Sequence, residues 1–284
     1  MKIRSIVKKL TAISSLFLIA IVVVQCRKSN RDSEVKNAAP VDNATAVSIF
    51  NNIFRTVHSL AWENSLLNGP QDSIQSNTSD NCIDSVLYAY NVVTFPNTVV
   101  LYYGTTASSC SGGYSTSGKL KAVFSGQYNT SGSVVTVSFS NYAVDSIAVS
   151  GTMTITNNGY NADNNYVFNI SVANAKLEYD TINISWNCSR KYEWIFGDNT
   201  DVITDDKFIV SGTSSGRTSK GNEFDVEITE DLNYSTSCKW ITQGIIEMDL
   251  GISLSPRTLD YGNGTCDENV TVTYKNTTYD LEMR

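Results

Sequence analysis

The sequence predicts a mainly β protein: a large curled antiparallel meander sheet of about 10–12 strands, with one N-terminal amphipathic helix and two disulfides. Apolar and polar residues alternate along segments such as 147–155 and 166–172, the pattern of antiparallel strands with one buried face. Glycine-rich turn signals recur between these segments. Because so many strands rarely form a flat open sheet, we expect the sheet to curl, with a partly closed barrel as one form of it.

Composition excludes several classes of protein. Of the 284 residues, 41% are hydrophobic and 17% are charged, which excludes a disordered chain, a collagen and a coiled coil. Acidic residues (28) outnumber basic ones (21), so nucleic acid is not an expected partner. We expect no cofactor either, since no nucleotide-binding glycine loop occurs.

Residues 1–25 carry the features of an export signal. A positively charged start is followed by a mostly apolar stretch over 10–24, which is short for a spanning helix. Cys26 ends this stretch and a polar segment follows, so the region resembles a bacterial lipoprotein signal, although Gln25 stands where that class prefers a small residue. The resemblance implies acylation of Cys26, a flexible tether over 26–40 and a lipid-anchored place in the bacterial outer membrane. An uncleaved N-terminal anchor is the alternative.

The net charge of the mature chain indicates how it attaches to the membrane. Residues 1–25 hold four of the basic residues and no acidic one, so 17 basic and 28 acidic residues remain after cleavage, a formal charge of −11. Such a chain is not attracted to an anionic membrane surface. We therefore expect attachment through acyl chains on Cys26.

A helix is predicted over 41–68, where apolar residues recur at three- and four-residue steps. Asp42 or Asn43 is the expected N-cap, and Gly69-Pro70 ends the pattern. His58 lies at the edge of the apolar stripe, so we expect a partly exposed helix residue rather than a catalytic base. A polar linker over 69–81 leads to the β domain, 82–284.

The cysteines predict two disulfides in an internal duplication. The spacing from Cys82 to Cys110 is 28, and so is the spacing from Cys238 to Cys266. Both segments contain a strand, a proline-led strand with Tyr-Gly and a further strand, so we predict duplicated units over 82–124 and 238–283 with one bridge each. A zinc site is the alternative, and it lacks both C-x-x-C spacing and a nearby histidine. The bridges indicate export.

Cys188 is left over, in the alternating segment TINISWNC. We expect a buried free thiol, because an unpaired cysteine packs as a small core residue. Nucleophilic catalysis would need a base beside it, and the only histidine lies far along the chain.

A family resemblance rests on the C-terminal half. The runs RKYEWIFGDNT, SCKWITQGIIEM and RTLDYGNGTCDENVTVTY resemble motifs of an uncharacterised family of exported Bacteroidetes lipoproteins: an EWI-G stretch, a C-x-W-I strand and a closing DYG-GTCDN hairpin. The chain departs from the closing motif at Glu268. The resemblance covers most of 82–283 and implies an envelope location and a β-rich fold. It implies no activity and no catalytic residue.

Four Asp-Ser/Thr-apolar triplets fit the O-glycosylation pattern of that bacterial group. Ser73, in the polar linker, is the candidate modification site because we expect it to be exposed. The triplets around Ser85, Ser146 and Thr181 abut β segments, where we expect buried coincidences.

Candidate chemistry in the sequence is sparse, and we assign no catalytic residue and no metal site. A glycosidase needs two carboxylates across a cleft, for which Asp205-Asp206, Glu193 and Glu178 can be nominated. Two oxygen-rich segments could hold calcium, yet neither has EF-hand spacing and both suit turns. Their members are Asp198, Asp201, Asp205 and Asp206, and Asp260, Asn263 and Asp267.

The function expected from these features is that of a lipid-anchored cell-envelope protein with a non-catalytic structural or ligand-binding role. The aromatic residues suggest a sugar ligand, although packing in the core is the default for them. One alternative is a carrier or chaperone of an apolar ligand such as lipid, with a pocket beside the helix. A second alternative is a glycan-active enzyme.

Overall fold

The computed structural model describes residues 38–62, 82–89, 94–110, 112–200, 202–251 and 255–283. Several predictions concern residues outside these ranges: the signal over 1–25, acylated Cys26, most of the tether, the linker with Ser73, and Asp201. Residues 39–284 form one compact unit.

Helix α1 spans residues 38–62. Asp42 and Asn43 therefore lie inside the helix, and the prediction that one of them is the N-cap is wrong. The predicted helix end at 68 lies outside the described residues. None of the described helical segments has the length and apolarity needed to cross a lipid bilayer.

In the part of the chain that the structure describes, fourteen strands follow the helix. They are β1 (Ser85–Ala89), β2 (Asn97–Tyr102), β3 (Ser108–Ser109), β4 (Ser115–Phe124), β5 (Val134–Val144), β6 (Ile147–Tyr160), β7 (Tyr166–Tyr179), β8 (Ile182–Phe196), β9 (Lys207–Arg217), β10 (Glu223–Ser235), β11 (Gln243–Asp249), β12 (Arg257–Asn263), β13 (Asn269–Tyr274) and β14 (Thr277–Glu282).

The strands form one antiparallel meander in which almost every strand pairs with its neighbours in sequence. Among the described strands the one departure is β3, which pairs with β4 off the main path. The predicted mainly β meander with one N-terminal helix is confirmed, but the count of 10–12 strands is too low. Strand β3 has only two residues, too few for an alternating pattern to show in the sequence.

Hydrogen bonding leaves the sheet open. The end strands β1 and β14 are not paired with each other in the described chain. The predictions of a strongly curled sheet and of a partly closed barrel are therefore wrong. Side chains and loops nevertheless connect distant strands. The hydroxyl of Tyr114, just before β4, lies 3.2 Å from the carbonyl oxygen of Lys239, after β10. Lys239 also donates to Asp145, between β5 and β6, at 2.8 Å.

Tight turns follow from residues that tolerate a left-handed backbone. Asp145 and Ser146 (φ 50° and 67°) join β5 to β6, and Lys275 and Asn276 (φ 46° and 64°) join β13 to β14. Two successive residues with positive φ make the type I′ turn, whose twist matches that of paired strands.

The helix is buried on all sides. Every residue from 42 to 61 is buried, including the polar ones. A helix with an exposed polar face was expected, and the difference has a physical reason: the polar side chains hydrogen-bond to the sheet. Asp42 accepts from the backbone and hydroxyl of Ser219 at 2.8 and 2.9 Å, and Asn51 accepts from Tyr192 at 2.5 Å.

Both predicted disulfides, Cys82–Cys110 and Cys238–Cys266, are formed, each across 28 residues. The first encloses β1, β2 and the two-residue β3, and the second encloses β11 and β12. The bonds therefore lie near the two ends of the strand order. Two disulfides indicate an oxidising, extracytoplasmic location.

Candidate functional site

The candidate site is a groove on the face of the sheet that points away from α1. Trp186 and Tyr192 of β8 and Ser214 of β9 hydrogen-bond to the helix, so their exposed sequence neighbours point to the opposite face. There β8–β11 form a groove of about 1010 Å³. Its lining residues are Asn187, Cys188, Ser189, Thr213, Ser214, Ser215, Asp225, Val226, Glu227, Glu247, Asp249, Gly251 and Pro256. We call it the acidic groove.

Strand register arranges the groove side chains in two rows. The first row runs across the sheet through Asn187, Ser215, Asp225 and Asp249. The second runs through Ser189, Thr213, Glu227 and Glu247. The rows are two residues apart on each strand, or about 7 Å, and adjacent strands are about 4.8 Å apart. The groove thus has a neutral polar half on β8–β9 and a carboxylate half on β10–β11.

Two glycines shape the neutral half. Gly212 has φ +121°, and a Cβ there would overlap the carbonyl oxygen of Ser189. A Cβ on Gly216 would overlap the carbonyl oxygen of Ser185. Glycine at both positions lets β9 lie close to β8 on either side of residues 213–215.

Most of the groove's polar groups have no protein partner. Asn187 accepts from the backbone of Asn174, and Asp249 accepts from the backbone of Gly251. The other polar side chains of the two rows make no hydrogen bond or ion pair with any described residue: Ser189, Thr213, Ser215, Asp225, Glu227 and Glu247.

Electrostatically the groove is negative. Asp225 is paired in register with Asp249, and Glu227 with Glu247. No lysine, arginine or histidine lines the groove in the described chain. Like charges directly opposite each other destabilise a sheet, so this arrangement has a cost that packing does not explain.

The carboxylates nominated from the sequence lie elsewhere. Asp206 is buried beside His58, and Asp205 accepts from the hydroxyl of Thr200 at 3.1 Å. Glu193 accepts from the amide of Asn165 at 2.9 Å, and this bond lowers the pKa of the Glu193 carboxyl. Glu178 lies near the far end of β7, opposite Asn183. Register does not bring these four residues together as a pair across the groove.

His58 is fully buried, so the expectation of a partly exposed residue is wrong. Its ring lies 4.5 Å from the ring of Trp194, and burial lowers the pKa of the imidazole to about 3. Burial also raises the pKa of the Tyr128 hydroxyl. We assign a neutral His58 that accepts from Tyr128 at Nδ1 (2.8 Å) and directs Nε2–H toward Asp206 at 3.6 Å. This cluster holds the helix to the sheet and has no solvent-exposed group for a substrate.

In the second oxygen-rich segment, the side-chain oxygens accept hydrogen bonds from residues close in sequence. Asp260 and Asp267 each accept from the backbone two residues later, at 2.8 Å, and Asn263 accepts from the hydroxyl of Thr265. Among the described residues, no three His, Cys, Asp or Glu side chains are placed to hold a metal ion.

Cys188 is a free thiol, 9% exposed. Burial raises its pKa to about 11, so the thiol form dominates at neutral pH. Among the glycosylation triplets, Ser85, Ser146 and Thr181 are all exposed, and the expectation that they are buried is wrong. The last two lie in turns between strands, where the chain reverses in solvent.

Comparison with known protein families, with characterised proteins and with solved structures gives no match. The acidic groove was not among the sites expected from the sequence. A signal for it exists: Asp-Val-Glu over 225–227 and Glu-Met-Asp over 247–249 each put two acids on one face of a strand. Only the antiparallel register places the two faces side by side.

Proposed function

We propose that this chain is an exported, lipid-anchored envelope protein of the Bacteroidetes lipoprotein type, whose acidic groove binds a glycan without catalysis. The observation that carries the proposal is the pair of polar rows on β8–β11, whose hydroxyls and carboxylates mostly lack protein partners.

The chemistry of the lining supports a polyhydroxylated ligand. Carboxylates such as Glu227 and Glu247 accept hydrogen bonds from sugar hydroxyls, and the hydroxyls of Thr213 and Ser215 both donate and accept. A volume of about 1010 Å³ lies at the upper end of the range for small-molecule pockets, so an oligomer fits better than a single sugar.

Charge narrows the class of glycan. The described lining holds four carboxylates and no cation, so the groove repels uronic acids, sulfated sugars and phosphates, and the ligand carries neutral or amino sugars. An apolar lipid has less support, because Val226 points into the core and Pro256 is the main apolar side chain exposed in the lining. The space beside the helix is also packed, as with Phe54 5.0 Å from Tyr192 and Phe50 5.3 Å from Trp186.

A panel of three hexasaccharides tests the binding claim: neutral N-acetylchitohexaose, its cationic deacetylated form and anionic hexagalacturonate. We expect isothermal titration of the purified full chain in detergent to detect binding of the first two only. Replacing Asp225→Asn and Glu227→Gln together weakens binding at least about tenfold, because charge-assisted hydrogen bonds are lost. The matched control Glu178→Gln, outside the groove, leaves it unchanged. Tightest binding of hexagalacturonate, or equal binding by the groove variant, contradicts the proposal.

The anchor is tested separately, by a non-reducing peptide mass map of protein from its native membranes. We expect an acylated N-terminal Cys26 peptide and an unmodified Cys188, with added sugar mass on the Ser73 peptide. An unacylated Cys26 excludes the lipid anchor and leaves the groove proposal standing.

Glycan hydrolysis is a second candidate, favoured by one observation. Glu227 and Glu247 are direct cross-strand neighbours. Retaining glycosidases place two carboxyl groups about 5 Å apart, which is the scale of such neighbours. Release of new reducing ends from the bound hexasaccharide, lost in Glu247→Gln, identifies an enzyme; unchanged hexasaccharide after prolonged incubation supports binding alone.

A further inference from the structure

A second feature lies at the end of the sheet where β6 and β8 end and β7 and β9 begin. Most large apolar side chains are buried in the core, and few described ones are exposed. Four of the exposed ones gather at this end: Tyr160, Ile195, Phe196 and Val202. Together with Tyr166 we call them the aromatic end.

The rings of the aromatic end rest on a rigid base. Tyr160 is 55% exposed, and its ring lies 4.0 Å from that of Tyr166, its cross-strand partner. Tyr166 contacts Trp62 of the helix at 5.3 Å and Trp194 of β8 at 6.2 Å. Tyr160 is therefore held in place without being covered, and a ligand that stacks on it loses little side-chain entropy.

Polar residues lie next to these rings in sequence: Asn161 follows Tyr160, and Asn165 precedes Tyr166. The side-chain oxygen of Asn161 accepts from the backbone of Asp163 and Asn165, and the amide of Asn165 donates to Glu193 at 2.9 Å. Phe196, also 55% exposed, has the ammonium of Lys207 5.5 Å from its ring centroid. Exposed ring faces with amide, carboxylate and ammonium groups at their edges suit a sugar, which is apolar on its C–H faces and polar at its rim.

We infer that the aromatic end is a second carbohydrate contact, separate from the acidic groove, in which Tyr160 and Phe196 stack on sugar rings of a neutral glycan. Anionic polymers and anionic membrane surfaces fit poorly, because the chain carries a formal charge of −7 and Glu193 lies beside the rings. The aromatic end also lies at the C-terminal end of α1, about 30 Å along the helix from Asp42.

The outward side chains of β8 connect the two contacts. Ser189 of the groove and Ile195 of the aromatic end point to the same face and are six residues, or about 20 Å, apart. A chain of several sugars in the groove therefore reaches the aromatic end at Ile195, whereas Tyr160 lies with Tyr166 on the helix side of the sheet. If one sugar chain contacts both sites, the inference rests on the proposed function. The aromatic end can also bind a glycan without the groove.

N-acetylchitohexaose titrated into the full chain tests the inference, read by calorimetry and by the fluorescence of Trp194 and Trp62, the indoles beneath Tyr166. We expect Tyr160→Ala with Phe196→Ala to weaken binding about fivefold or more, and Tyr160→Phe to restore most of the loss at that position. The matched control is Tyr179→Ala: Tyr179 is 53% exposed at the other end of β7.

The outcomes separate the two claims. The inference is supported if the aromatic variant, Tyr160→Ala with Phe196→Ala, loses affinity for N-acetylchitohexaose while Tyr179→Ala keeps it. This holds whether or not the groove variant, Asp225→Asn with Glu227→Gln, also binds more weakly. Wild-type affinity in the aromatic variant overturns the inference, and a loss confined to the groove variant then leaves the proposed function standing. Equal losses in Tyr160→Ala and Tyr179→Ala, or no binding by the unmodified chain, also overturn it.

Discussion

The indole N–H of Trp186 donates to the side-chain oxygen of Asn43 at 3.1 Å, in the buried interface between α1 and the sheet. The same oxygen accepts from the hydroxyl of Ser214 on β9 at 3.2 Å. One helix amide therefore satisfies donors from two adjacent strands.

Replacing Asn43 by leucine tests this bond. Both donors would be left buried and unpaired, so we expect the free energy of unfolding to fall by about 3 kcal/mol. Urea denaturation at neutral pH measures the loss. Asn169→Leu, at an exposed position on β7, is the control and should shift stability by no more than about 0.5 kcal/mol. Equal losses in the free energy of unfolding for the two variants would show that the hydrogen bonds of Asn43 do not stabilise the fold.

His58 predicts a pH dependence of stability. Its pKa is about 3 in the folded protein and about 6.5 in the unfolded chain, so between these values the unfolded state binds the extra proton. The contribution of His58 to stability is therefore complete above about pH 6.5 and is lost as the pH falls toward 3, by on the order of 5 kcal/mol in all.

Because His58 is the only histidine in the chain, replacing it removes all histidine titration from the pH profile of stability. His58→Phe removes the ionising group and keeps a ring in the cluster. We expect the variant to be less stable at pH 7, since Tyr128 loses its acceptor, yet to lose less stability than the wild type between pH 6.5 and 4.5. Parallel pH profiles would show that His58 is not the responsible group.

We expect the two disulfides to contribute equally to the free energy of unfolding. Each spans 28 residues, and the chain-entropy account gives about 3.5 kcal/mol for either loop. We compare the double alanine variants Cys82→Ala, Cys110→Ala and Cys238→Ala, Cys266→Ala by urea denaturation. Losses that differ severalfold would contradict loop entropy as the main term.

The facing carboxylates of the groove should cost stability. Replacing Asp225→Asn and Glu227→Gln removes the repulsion with Asp249 and Glu247, so we expect a gain of about 0.5–1 kcal/mol and a weaker response to added salt. Thermal melts at low and high salt measure both. Glu178→Gln faces no carboxylate and is the control. A destabilised groove variant would show that these acids support the fold instead.

Much of the fold can be predicted from local pattern. Alternation over 147–155 and 166–172 marks β6 and β7, and the matched 28-residue spacing predicts both disulfides. Burial of the helix's polar face cannot be predicted this way. The partners of Asp42, Asn43 and Asn51 lie more than 140 positions away in sequence, and no local signal links them.

The acidic groove, too, could not be predicted from local sequence patterns. Each acidic strand segment by itself looks like a solvated face. The register of β10 against β11 sets Asp225 beside Asp249, and Gly212 and Gly216 set the approach of β9 to β8. These are long-range properties, so the site emerges only from the assembled sheet.

A crystal structure of the full chain with N-acetylchitohexaose would show whether the acidic groove binds this glycan. We expect sugar density across β8–β11, with hydroxyls within hydrogen-bond distance of Ser215, Glu227 and Glu247. An empty groove at saturating ligand, or sugar bound only on the helix side of the sheet, would contradict it.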